Sequence, residues 1–192
     1  MVKKIIIDTD PAMGTKGGDP EDCFAIMMAL NSPELEVLGI TAVQGNVPVE
    51  RGYSNAHYLI NHFKRDIPIR SGPSNAFDDL RNKDRIWLSQ REEMEQIAPI
   101  VSKPTDEEDA ADFIYKTATE HSGELELITI GPLTNIAIAL QRYKDLSNHI
   151  KILGLIPYED VFKLIRFSKF VLNPSLFEGW STTVEECKSL GK

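Results

Sequence analysis

The chain has 192 residues, of which 42% are hydrophobic and 26% charged. That is enough to bury one sizeable core, and it excludes disordered and fibrous classes. The formal net charge is −8, and no Lys/Arg cluster makes a stripe that would neutralise a phosphate backbone, so nucleic acid is not an expected partner. The two cysteines, Cys23 and Cys187, match neither a disulfide framework nor a zinc pattern, which suits a reducing, cytoplasmic setting. Lys3 and Lys4 precede an apolar run, but Asp8 and Asp10 interrupt it too soon for a signal segment or a membrane span.

Taken in chain order, apolar runs rich in β-branched residues alternate with stretches of helical period, the pattern of a parallel sheet wrapped by helices. The fold class is therefore α/β, a mostly parallel, doubly wound sheet of the Rossmann-like kind. Strands are predicted over Lys3 to Asp8, Glu36 to Val43, Ile67 to Ile69, Leu125 to Ile130, Ile150 to Ile156 and Phe170 to Asn173. Asp19 reads as an N-cap with Pro20 at the first helical position, ahead of an apolar face of Phe24, Ile26, Met27 and Leu30. A second helix is predicted over Val49 to Lys64. Thr105 to Glu108 reads as a capping box whose helix ends near Gly123, in the place of a left-handed residue, and Thr134 opens a further helix. The stretch from Ser71 to Lys103 is the least regular, with a helix expected near Ser89 to Ile97.

Asp8 and Asp10 are two apart at the carboxyl end of the first strand, so both side chains leave on one face, where open α/β sheets bind ligands. Glu21 and Asp22 follow at the start of the next helix. Four carboxylates at one strand-to-helix turn repel one another unless a cation sits among them, and an all-oxygen set suits Ca²⁺ or Mg²⁺. The same residues also read as helix caps and a solvated loop, and spacing alone does not decide between the two.

The segments KIIIDTDP, DPEDCFAIMMALNSPELEVLGITAVQGNVPVE and LITIGPLTNIAIAL resemble the inosine-uridine-preferring nucleoside hydrolases over about residues 1 to 150. That resemblance implies a Ca²⁺ enzyme that cleaves the N-glycosidic bond of ribonucleosides, with a small-molecule nucleoside as partner. It makes Asp10 the general base and a metal ligand, Asp22 a bidentate ligand, Asp8 their support in the metal set, and the backbone carbonyl of Ile130 part of the shell. Glu21 and Asn46 would meet the ribose. The family also supplies a late His-Asp pair; His57, His62, His121 and His149 each lack an adjacent Asp, so weak Ca²⁺ binding and impaired turnover are expected. His57 and His62 fall within the second helix and read as ordinary helical histidines.

From about Ile150 the text resembles the nucleotide-binding C-terminal domain of retaining GT-B glycosyltransferases, with Glu178 and Glu186 in an E-x7-E arrangement. The expectation is a chimera, with 151–192 extending the sheet of 1–150 into one domain, and Glu178 and Glu186 as nucleotide-binding residues. A chimeric scaffold without efficient catalysis and a sugar-nucleotide-binding fragment remain alternatives, and a homo-oligomer stays open.

Overall fold

The computed structural model describes residues 2–15, 18, 20–74 and 98–150. They fall within one compact unit, Met1–Lys151. The strands expected over Ile150 to Ile156 and Phe170 to Asn173, the helix expected near Ser89 to Ile97, the Asp19 cap, and Glu178 and Glu186 lie wholly or mainly outside the described residues. Ile150 itself is described; it is buried and not in a strand.

Four strands form a parallel sheet in the order β3-β2-β1-β4. They are β1 (Lys3–Thr9), β2 (Leu35–Ala42), β3 (Ile69–Ser71) and β4 (Leu125–Thr129). Helices α1 (Glu21–Asn31), α2 (Val49–His62), α3 (Ala110–Glu120) and α4 (Thr134–Arg142) connect and cover them. The alternation along β1 divides the core between two faces. Ile5 and Ile7 pack with Cys23, Ile26 and Leu30 of α1 and with Tyr53, Ala56 and Leu59 of α2. Ile6 packs on the opposite side with Ala111, Ile114 and Ala118 of α3 and Ala139 of α4. A strand buried on both faces reads as a continuous apolar run, which is how KKIII reads. No helix among the described residues is long and apolar enough to cross a membrane.

The departures from the predicted elements have local causes. The third strand begins at Ile69 rather than Ile67 because Pro68 has no N–H to give to a ladder; its carbonyl instead accepts from the Ile40 N–H at 3.0 Å. Pro20 is the residue flanking α1 rather than its first member. Phe24 is 52% exposed: the stripe facing the sheet is Cys23, Ile26 and Leu30, which leaves Phe24 on the outer side. Helix α2 stops at His62, and Lys64 turns the chain out with a φ of 52°. Gly123 takes the left-handed conformation expected of it, at a φ of 80°.

The expected capping box does not open α3. Its glutamates are used elsewhere, since Glu107 and Glu108 pair with Arg70 at 3.5 Å and Glu107 accepts from the Tyr53 hydroxyl at 3.2 Å. The cap is Asp109, whose side chain accepts from the Asp112 N–H at 2.9 Å and also takes a hydrogen bond from Arg142. Asp109→Ala is therefore expected to cost roughly 1–2 kcal/mol, measurable as a lower urea midpoint at unchanged m. An unchanged midpoint would show that the cap contributes nothing.

Candidate functional site

In the order β3-β2-β1-β4 the chain winds outward from β1 through β2 to β3, then returns to lay β4 on the other side of β1. The carboxyl ends of β1 and β4 therefore border the point where the winding reverses, which is where open α/β sheets open a crevice. Three carboxylates occupy that point. Asp8 lies within β1, Asp10 just beyond its end and Asp22 in the first turn of α1, and all three are buried.

Each carboxylate is held by neutral donors. Asp8 Oδ1 accepts from Thr41 Oγ1 at 2.6 Å and from Asn135 Nδ2 at 2.8 Å. Thr41 is the register partner of Asp8 across the β1/β2 ladder, so the hydroxyl arrives through strand pairing. Asp22 Oδ2 accepts from Thr9 Oγ1 at 2.6 Å and from the Asp10 N–H at 3.0 Å. Asp10 Oδ2 accepts from the Asn46 N–H. The loops are cut to fit Asp10. A Cβ at Gly45 would stand 2.6 Å from Asp10 Cγ, and one at Gly131 would stand 2.8 Å from Asp10 Oδ1 and 2.7 Å from Val43 Cγ1. Asn55, buried in α2, fixes the following loop by donating to the carbonyls of Pro11 at 2.9 Å and Met13 at 3.1 Å.

Burial dominates the electrostatics. Desolvation raises the Asp8 carboxyl to about 6, against the pull of Thr41 and Asn135. Desolvation raises Asp10 to about 7; the Asn46 N–H opposes the rise, while the charge of Asp22 and its side-chain hydrogen bond with Asp10 add to it. The Asp10 carboxyl thus readily retains its proton.

The predicted residues fall into place unequally. Asp10 and Asp22 come together through hydrogen bonds, and Asp8, whose carboxyl feels the charge of Asp22, is held separately by Thr41 and Asn135. Glu21 is half-buried as the first residue of α1. Asn46 contributes its backbone N–H to Asp10. The Ile130 N–H donates to the Asp8 carbonyl at 2.9 Å, which sets the turn after β4, and its side chain is partly exposed. Thr9, Thr41, Asn135, Gly45 and Gly131 were not singled out from the sequence. Their signal was there as hydroxyls and small residues at strand ends, where an apolar run would otherwise continue, and as an Asn buried at the start of a helix.

The oxygen donor set and the unpartnered, buried Oδ2 of Asp8 fit a hard cation. Among the described residues, no three His, Cys, Asp or Glu side chains close on one point as a finished metal centre would. The described residues therefore offer part of a coordination shell.

The chain matches the family described as inosine-uridine preferring nucleoside hydrolase over residues 5–155. It is 33% identical over 152 residues to uridine nucleosidase 1 of Arabidopsis thaliana, covering 78% of this chain and 43% of that protein. It is also 33% identical over 153 residues to the non-specific ribonucleoside hydrolase RihC of Klebsiella pneumoniae, covering 77% and 46%. Among solved structures, the purine-preferring ribonucleoside hydrolase from Gardnerella vaginalis is similar with a TM-score of 0.59 and 30% identity, over 77% of this chain and 46% of that one. The plant nucleoside hydrolase PpNRh1 is similar with a TM-score of 0.59 and 28% identity, over 78% and 46%. The chain thus spans less than half the length of these relatives, and the glycosyltransferase reading of residues 150–192 gains no support from them. With the acidic turn, the parallel sheet and the matched residues all lying in the same stretch of sequence, the chain belongs to the inosine-uridine preferring nucleoside hydrolase family.

Proposed function

We propose that this chain carries the acidic, N-terminal half of a nucleoside N-ribohydrolase site, with Asp10 as the general base. The observation that carries the reading is the burial of Asp8, Asp10 and Asp22 at the reversal of the sheet, where Asp10 and Asp22 are hydrogen-bonded to one another and the Asp10 carboxyl is raised to about 7. A base is most effective when its pKa lies near the working pH. Water attacks the anomeric carbon and its proton passes to Asp10. The bond from that carbon to the base nitrogen breaks, and the departing base takes up a proton. The Asn46 N–H on Oδ2 and the close approach of Gly131 to Oδ1 fix the direction in which Asp10 faces, so little reorganisation is needed as the proton arrives. Ca²⁺ bound by Asp8, Asp10, Asp22 and the Ile130 carbonyl would lower the pKa of water and grip the ribose hydroxyls. Glu21 and Asn46, which flank these carboxylates, are assigned to the ribose.

The reading includes slow turnover, because no histidine in this chain is adjacent to an aspartate and members of a catalytic group lose most of their effect when one is missing. Release of reducing sugar from uridine and inosine in saturating Ca²⁺ tests it. Asp10→Ala should lower the observed rate by roughly 10²- to 10⁴-fold, and calorimetry should find Ca²⁺ held at about 10⁻⁴ to 10⁻³ M. A rate indifferent to Asp10→Ala removes Asp10 as the base.

A further inference from the structure

We propose that Asn55 is a positioning residue, which fixes the main chain just beyond Asp10 and so holds the base in its working position. The inference rests on the reading of Asp10 as general base and gives a part in it to a residue of α2 that the reading does not use.

The strand ladder ends one residue too early to hold Asp10. Pairing of β1 with β2 reaches Thr9, whose carbonyl also accepts from the Val43 N–H at 2.9 Å, and pairing with β4 stops at Asp8. Beyond the ladder, the backbone torsions decide where the carboxylate stands. The Asp10 N–H donates to Asp22 at 3.0 Å, and the following proline steers Asp10 to extended torsions and fixes its own φ. That leaves ψ of Pro11, which Asn55 settles by donating to the Pro11 carbonyl at 2.9 Å. The same Nδ2 donates to the Met13 carbonyl at 3.1 Å, so both amide protons go to one loop. Turning the amide over would set Oδ1 against two carbonyl oxygens, so its orientation is fixed. The side chain is 1% exposed, and its Oδ1 is buried with no hydrogen-bond partner. A half-satisfied amide inside a helix is costly to bury, so its contribution lies in the loop it holds. Gly52, about a turn earlier in α2, lies against the same stretch: a Cβ there would stand 3.5 Å from Pro11 Cδ and 3.9 Å from the Asp10 carbonyl carbon. Helix α2 also follows directly on the turn whose Asn46 N–H holds the Asp10 carboxylate. One helix therefore steadies Asp10 from its side chain and from its main chain. A displacement of about 1 Å in a reacting group costs on the order of 100-fold in rate.

The test measures uracil release over a range of uridine concentrations by the full 192-residue chain in saturating Ca²⁺, with urea unfolding of each protein alongside. The near-isosteric Asn55→Leu removes the donor and the unpartnered oxygen together. It should lower kcat about 10- to 100-fold and leave KM within about threefold, while the urea curve shows a folded chain. Added to Asp10→Ala, it should cost less than about twofold more, because it acts through Asp10. A purely structural role would lower turnover only by the fraction unfolded, and by the same factor with or without Asp10, which overturns the proposal. If Asn55→Leu does not unfold cooperatively, Asn55→Ala carries the same comparison. A parent chain that releases no uracil, or one indifferent to Asp10→Ala, brings down the underlying reading and this inference together. A parent that depends on Asp10, beside an Asn55→Leu chain that turns over as fast, brings down only the positioning role.

Discussion

In metal-free buffer, Asp10→Asn is expected to melt roughly 6–12 °C above the parent chain at pH 8, with the difference vanishing near pH 4, and to give no heat with Ca²⁺. The reason is linkage. The folded-state carboxyls of Asp8 and Asp10 lie at about 6 and about 7, whereas an unfolded aspartate titrates near 3.9. Between about pH 4 and pH 7 the folded chain therefore binds more protons than the unfolded one, and stability falls as the pH rises. Asp10 alone accounts for a loss on the order of 3 kcal/mol across that window. Asparagine copies the protonated acid: its oxygen can accept from the Asn46 N–H and its amide can donate towards Asp22. It escapes the penalty, and with the penalty goes the negative charge that a cation needs. Identical melting curves for the two proteins at pH 4 and pH 8 would show that Asp10 is not held in an apolar setting.

Gly45→Ala should damage the site without altering a single polar group. The added Cβ would overlap the Asp10 carboxylate, 2.6 Å from its Cγ, with Pro132 Cδ 2.8 Å away on another side. Neither neighbour yields freely, because Asp10 is tied to Asn46 and Asp22 and the proline ring is rigid. Overpacking of this kind costs about 1–3 kcal/mol, and the displaced carboxylate should weaken Ca²⁺ by an order of magnitude or more. Urea unfolding and Ca²⁺ calorimetry read the two effects separately. Parent-like values in both would mean that the turn has room that its geometry denies.

Much of this arrangement could be read from the residues. The alternation of apolar runs with helical stretches gave the parallel sheet, and all four described strands lie within two residues of their expected places. Asp8, Asp10 and Asp22 were found because carboxylates clustered at the end of a buried strand are chemically conspicuous. Thr41 and Asn135 were harder, because a hydroxyl in a strand and an amide in a helix are common, and only strand register and chain return bring them to Asp8. The cap of α3 was misplaced because Glu107 and Glu108 look like a cap locally and act over a distance, on Arg70. Phe24 was misassigned because α1 is apolar around most of its circumference, so composition could not say which stripe meets the sheet.

The hydrogen bond between Asn135 and Asp8 joins residues 127 apart in the chain, whereas Thr41 lies only 33 from the same carboxylate. That difference sets an order of events in folding. Closing the longer loop costs about 1.2 kcal/mol more in chain entropy, and β1 has its earliest partner in β2. A chain that has paired β1 with β2 already holds Asp8 through Thr41 and can hold Asp22 through Thr9. It gains the second grip on Asp8, and Gly131 beside Asp10, only when β4 docks. The carboxylates are thus brought near one another by contacts of short span, and the docking of β4 beside β1 adds the second grip on Asp8 and the close approach of Gly131 to Asp10, so their final burial, and the desolvation that raises Asp8 and Asp10, falls on a later step.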